Sequence, residues 1–207
     1  WSEALRDSSN LAETVQDEFF PITSVRFREL QKECQSILDP HQKAAIFFAL
    51  NRASFSGTGL SGGCPKKMER FTPSSIDFLR TFQCQNLSVD LADFHQSLDL
   101  HQDEFAYLDP PYIGPQSGLY GQSGNCHDGF DHHGLAEILR DRDNWVLSYD
   151  DHSLVQDLYQ GHLCVRPTWR YGMNSSKDSN ELLIFSGDLN DWARCVASDR
   201  GEVIERI

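Results

Sequence analysis

Two consecutive prolines, Pro110 and Pro111, end the short apolar run Phe105-Ala106-Tyr107-Leu108, and they constrain this chain more than any other stretch. The run predicts a buried strand. Proline has no N–H to give to a ladder and its φ is locked, so the strand stops there and the backbone beyond it is rigid. Asp109 is thereby held at the carboxyl end of a strand, and Tyr112 just past a stiff corner. In open α/β sheets that edge is where ligands bind. A carboxylate, a rigid carbonyl and an aromatic face so close together suit a flat ring that carries an amine.

The chemistry follows from the residue types. An aromatic amine is a poor nucleophile because its lone pair is delocalised into the ring. Two acceptors aimed at its two hydrogens draw the nitrogen toward tetrahedral geometry and localise that pair. Asp109 Oδ and the Pro110 carbonyl are candidates for the two acceptors, and Tyr112 is a candidate to stack on the ring. That is complementarity to a transition state through placed polar groups. The plainer reading is a strand running into a proline-rich turn with an exposed tyrosine.

Asp109-Pro110-Pro111-Tyr112 resembles the catalytic motif of Dam-type, adenine-specific amino DNA methyltransferases. A second block agrees: Ala49-Leu50-Asn51-Arg52-Ala53-Ser54-Phe55-Ser56-Gly57, then Leu60-Ser61-Gly62-Gly63 and Arg70-Phe71-Thr72-Pro73-Ser74-Ser75-Ile76. It is similar to a run in the phage and restriction-modification branch of that family. Val146-Leu147-Ser148-Tyr149-Asp150 is like the strand after the catalytic motif. Tyr171-Gly172-Met173-Asn174 with Glu181-Leu182-Leu183-Ile184 is like the closing hairpin. The blocks keep the family's order over roughly residues 1–186.

Strands alternate with helices along the chain, which argues an α/β sheet. The resemblance implies a Rossmann-like S-adenosylmethionine-dependent methyltransferase sheet with an inserted helical target-recognition subdomain. On that basis residues 1–21 and 86–186 are the partial catalytic domain, 22–85 the DNA-recognition insertion, and 187–207 a loose acidic tail. Helical spacing marks 1–20, 22–37, 41–51, 73–79, 132–140 and 154–159; strands are expected at 87–90, 145–148, 163–165, 169–171 and 181–185. Residues 113–131 form a long Gly-, Ser-, Gln- and Asn-rich loop placed to close over a base, with Tyr120 its best contact.

The chain has a formal net charge of −13, which argues against generic nucleic-acid binding but leaves room for a local basic strip. Arg52, Lys66, Lys67 and Arg70 form such a strip around the small-residue loop 56–63. A flexible linker is the plain reading of that loop. The resemblance implies instead that Asn51, Arg52, Ser54, Phe55, Ser56, Lys66, Lys67 and Arg70 face double-stranded DNA, where backbone contacts position the duplex. It also implies that Asp93, Phe94 and Asp109 bind the cofactor, with Asp93 accepting from its adenine amino group. No membrane span or signal peptide is visible. The six cysteines, Cys34, Cys64, Cys84, Cys126, Cys164 and Cys195, lack any C-x-x-C pair and read as reduced thiols of a cytoplasmic protein, and the resemblance implies a bacterial or phage-infected cell. Cys126-His127 with His132-His133 fits no standard zinc spacing, and no metal is expected.

The chain also departs from the family. A first strand ending in a glycine-rich turn, and an acid ending the second strand, are not found. The glycines at 57–63 follow a helix and sit in the wrong block. Trp1, which is not a Met, falls just after the place where those elements belong. A fragment of a longer product is the favoured explanation; a truncated and inactive protein, or a second chain that supplies the missing half, are the others. The expected function is methyl transfer from S-adenosylmethionine to the adenine amine of DNA. Methylation of RNA adenine or of a protein glutamine amide, and a non-catalytic DNA-binding remnant, remain the alternatives.

Overall fold

The computed structural model describes residues 1–65, 69–113, 129–167, 170–171, 177–178 and 181–207. Among these the chain divides into two units, one of Trp1–Leu91 and one that begins at Ala92 and runs to Ile207.

The first unit is helical. Helix α1 (Ser2–Thr14) continues into a π-helical turn, Val15–Phe19. Leu11, Val15 and Phe19 recur every four residues and are all buried. Helix α2 (Ser24–Glu33) starts at Thr23, whose side chain accepts from the Arg26 N–H. Helix α3 (Pro40–Ala53) starts at Asp39, which accepts from the Gln42 N–H at 2.7 Å, with proline at the first position where its missing N–H is harmless. Helix α4 (Pro73–Arg80) opens with a reciprocal box between Thr72 and Ser75. These helices close over Phe27, Leu30, Ile46, Leu50 and Ile76.

One expectation, a strand at 87–90, is corrected here. Residues 1–21, read as helical, lie in the helical unit. Helix α1 packs on α3 and α4, and the Ser8 hydroxyl donates to the Arg80 carbonyl at 3.1 Å. The apolar stripe of α1 matches the faces of α3 and α4, so burial decides its place. The segment 87–90 is not a strand; it is irregular, and Leu87 and Val89 are exposed.

The second unit is a mixed α/β structure. Its elements are α5 (Phe94–Leu100), β1 (Ala106–Leu108), α6 (His132–Arg140), β2 (Trp145–Asp150), α7 (Ser153–Leu158), β3 (Leu163–Arg166), β4 (Arg170–Tyr171), β5 (Lys177–Asp178), β6 (Glu181–Phe185), α8 (Asn190–Arg200) and β7 (Val203–Arg206). Five strands make one sheet in the order β1-β2-β6-β3-β7, and β4 pairs with β5 separately. Strand β1 is parallel to β2, and the other pairs in the large sheet are antiparallel. The carboxyl ends of β1, β2 and β3 therefore share one rim with the amino ends of β6 and β7. Strand β2 is buried on both sides. Trp145, Leu147 and Tyr149 pack with Leu135, Leu139, Val155 and Tyr159, while Val146 packs with Phe185, Ala193 and Ala197 of the other layer.

The loose tail expected at 187–207 is also corrected. Helix α8 buries Ala193 and Ala197, Gly201 ends it at φ +65° in the left-handed region, and β7 returns to pair with β3. A two-alanine stripe in a polar, charged segment is a weak sequence signal for a packed helix. Among the described residues no helix is long and apolar enough to cross a membrane, and Cys34, Cys64, Cys84, Cys164 and Cys195 are free thiols.

Candidate active site

The corner sits where the prolines put it, but the strand before it is not the buried one expected: Ala106 and Leu108 are half-buried, and Phe105 and Tyr107 are exposed because no strand covers that edge among the described residues. Leu108 is the last residue of β1 to pair with β2, opposite Leu147, and Asp109 follows it, exposed on the rim. Pro110, Pro111, Tyr112 and Ile113 are half-buried. The Tyr112 hydroxyl lies 3.0 Å from Ser148 Oγ and donates to Glu181 Oε1 at 2.9 Å. The Ile113 N–H donates to Asp150 Oδ1 at 3.0 Å. The ring of Tyr112 is tilted against that of Tyr149, with centroids 6.2 Å apart. Burial pushes the Tyr112 phenol above its ordinary range; the Ser148 hydrogen bond opposes this, and the Glu181 and Asp109 carboxylates add to it. Tyr112 is thus a neutral phenol held at its tip, and not a free-swinging ring.

Beneath it, Tyr149 is fully buried and its hydroxyl meets His132 Nδ1 at 2.6 Å. Burial lowers the His132 pKa, with the Asp150 charge working the other way.

Asp93 and Phe94 open α5. Asp93 is exposed and its Oδ1 takes both the His95 N–H at 2.9 Å and His95 Nδ1 at 2.8 Å, which holds the carboxyl below the usual range. Among the described residues Oδ2 has no donor and is available as an acceptor. Phe94 stacks on His95 at 3.9 Å and tilts against Phe130 at 5.1 Å. An acceptor beside stacked aromatic faces fits the adenine end of S-adenosylmethionine. The methionine end is not matched in the same way: β1 runs into prolines, β2 into Asp151-His152 and β3 into Pro167, so none of these strand ends carries a glycine turn.

In the helical unit the DNA-facing candidates divide into builders and presenters. Ser54 is 2% exposed; its hydroxyl donates to the Asn51 carbonyl at 3.1 Å and accepts from the Gly59 N–H at 2.9 Å. It shapes the loop and has no surface to offer DNA. Asn51 Nδ2 likewise donates to the Gly57 carbonyl at 2.8 Å. Phe55 is exposed. Arg52 Nε donates to the Arg70 carbonyl at 3.1 Å. Its guanidinium is perturbed first by burial and then by the Arg70 charge, so two cations lie close together in an acidic protein. Gly57, at φ +78°, lies against the Arg70 guanidinium; a Cβ there would be 3.0 Å from Arg70 Nη1. An apolar groove of about 620 Å³ runs beside Asn51 and Arg52, lined by Trp1, Phe47, Phe48 and Phe78. Lys66, Lys67 and Tyr120, as well as the Ser56 side chain, lie outside the described residues.

No role for Ser148, Asp150 or Glu181 follows from the sequence reading. Their signal was present but faint: two polar residues at alternate positions of an otherwise apolar strand, and an acid opening the strand that pairs with it.

A sheet rim that presents an acid-Pro-Pro-aromatic corner, in a chain with a separate helical unit carrying paired arginines, fits an amino-group methyltransferase. The comparison with known families gives the specific member: the chain belongs to the D12 class N6 adenine-specific DNA methyltransferases, whose family model matches residues 3–173. No curated protein matches the chain. Family membership makes DNA adenine methylation, with S-adenosylmethionine as donor, the activity of this class.

Proposed function

We propose that this chain is the catalytic corner and DNA-recognition portion of an enzyme that methylates the exocyclic amine of adenine at a particular DNA sequence. The observation that carries this is Asp109, exposed at the carboxyl end of β1 ahead of two prolines. Its carboxylate and the Pro110 carbonyl take the two amine hydrogens, and the half-buried Tyr112 ring supports the base. A base inside a duplex cannot reach such a corner, so the adenine is flipped out of the stack. S-adenosylmethionine, when bound, supplies an activated methyl group. Asp93 and Phe94 hold its adenine end.

The helical unit is proposed as the target-recognition subdomain, and the five-stranded sheet as the Rossmann-like part of the enzyme. Arg52 and Arg70 meet phosphates, Phe55 presents an exposed ring to the duplex, and Asn51 and Ser54 hold the loop in shape. Among the described residues no strand pairs with the outer edge of β1, where Phe105 is 54% and Tyr107 is 60% exposed. An open edge of this kind accepts a further strand. A segment carrying the glycine turn is the partner that edge is suited to.

The strand ends favour a second reading for the chain by itself, that of a DNA binder without methylation. Incubation with radiolabelled S-adenosylmethionine and duplex DNA separates the two. The expected result is duplex binding without measurable incorporation until the glycine-bearing segment is supplied. Robust incorporation by this chain would sink the second reading, and no incorporation after complementation would sink the first.

A further inference from the structure

We infer that Glu181 and Ser148 are positioning residues for Tyr112, and that Asp150 acts in the same way on the main chain at Ile113, so that the corner meets the base already shaped. The inference rests on the proposed role of the corner in holding an adenine. None of the three residues touches the reacting amine in this scheme; each acts through the corner.

Ser148 and Asp150 are two apart on β2 and so lie on one face of it. In the ladder, Asp150 is the direct partner of Glu181 on β6, and Ser148 that of Leu183. Three polar groups from two adjacent strands are thereby brought to one place at the rim. The proton order is fixed by their chemistry. An ionised carboxylate only accepts, so the Tyr112 O–H goes to Glu181. The phenol oxygen is then left to accept from Ser148, a hydroxyl only 3% exposed. Swinging the ring away from the sheet would break both bonds, one of them charge-assisted. Two residues past the stiff prolines, the Ile113 N–H is tied to Asp150, so the corner is fixed at its side chain and at its backbone. Fixing a contact group before the ligand arrives lowers the ordering cost of binding.

Two readouts test this on the full chain. Exchange of the Tyr112 hydroxyl proton, followed by NMR with tyrosine labelled at Cζ, reports the clamp without any ligand. Quenching of a single-stranded oligonucleotide carrying 2-aminopurine reports base stacking at the corner. In the wild type the hydroxyl exchanges slowly and the probe is quenched. Glu181→Gln, which keeps an acceptor, preserves both. Glu181→Leu speeds exchange and weakens probe binding by about tenfold, the scale of a lost hydrogen bond to a charged group. Tyr112→Phe weakens probe binding to the same extent and adds nothing in the Glu181→Leu background. Ser148→Ala moves both readouts in the same direction and serves if Glu181→Leu fails to fold. Fast wild-type exchange, or additive effects of Glu181→Leu and Tyr112→Phe, would overturn the inference. Slow, Glu181-dependent exchange with no quenching in the wild type would uphold the clamp and refute base stacking at Tyr112.

Discussion

Asp150 and Glu181 are direct partners across the β2–β6 ladder, yet their carboxylates hold different points of the corner: Asp150 accepts the Ile113 N–H at 3.0 Å, and Glu181 accepts the Tyr112 hydroxyl at 2.9 Å. Like charges opposite one another in a ladder are ordinarily destabilising. Here each charge gains a donor from the corner, and the sheet gains a fixed rim.

The balance between repulsion and hydrogen bonding gives a first prediction. Asp150→Asn keeps an oxygen acceptor for Ile113 and removes one of the two charges, so stability at neutral pH is unchanged or rises. Asp150→Leu leaves the part-buried Ile113 N–H without its acceptor and costs about 1–3 kcal/mol. Urea unfolding of the two variants side by side checks this. Equal losses for both would show that the charge, and not the acceptor, is what the site needs.

Arg52 and Arg70 should act as phosphate contacts. Among the described residues neither guanidinium has a carboxylate partner, and the Arg70 charge is close enough to perturb Arg52. Each Arg→Ala substitution should weaken duplex binding by a similar factor on every sequence and lower the slope of log affinity against log salt by about 1. Fluorescence anisotropy over a salt series measures both effects. A loss confined to one sequence would instead make the residue a base reader.

Gly57 supports the same patch. At φ +78° an alanine is strained by about 1–2 kcal/mol, and its Cβ would press on the Arg70 guanidinium at 3.0 Å. Gly57→Ala should therefore lower stability by about that amount and also weaken DNA binding toward the level of Arg70→Ala. Thermal melts and anisotropy on one preparation show whether the two losses travel together.

How much of this was legible beforehand depends on how local the signal was. The corner was readable because proline acts on its own backbone, and the structure puts Asp109 at the end of β1 as that reading requires. The helices α3 and α4 were readable for the same reason, since Asp39-Pro40 and Thr72-Pro73 cap them locally. Tertiary partners were not. Leu87 and Val89 have strand character but lie in an exposed, irregular segment, and α1 has an amphipathic stripe whose destination only α3 and α4 determine. Ser54 stood within a DNA-like motif and proved to be an internal brace of its loop. The clamp on Tyr112 joins residues 36 and 69 positions apart, a pairing that exists only once β2 and β6 are in register.

The layer behind the corner should make stability depend on pH. His132 is half-buried, with Nδ1 on the Tyr149 hydroxyl at 2.6 Å, and Tyr149 in turn backs the Tyr112 ring. Burial lowers the pKa of His132 in the folded protein; Asp150 and Asp131 oppose that and His133 reinforces it. Between the lowered value and the ordinary imidazole value of about 6.5, the unfolded chain binds more protons than the folded one, so stability rises with pH through that window. The contribution is complete above about pH 6.5 and is lost as the pH falls through the folded value, when the buried ring must take a charge. Urea midpoints should therefore drop as the pH falls below the ordinary imidazole value of about 6.5, and His132→Gln should flatten that part of the curve. An unchanged slope in His132→Gln would place the acid sensitivity elsewhere, with Asp151 the next group to test. Burial works to raise its carboxyl, but the Arg166 and Gln156 hydrogen bonds hold it below the usual range. That stability is present above the ordinary carboxylate value of about 3.9 and is lost only under more acidic conditions, so the two sources separate on the pH axis.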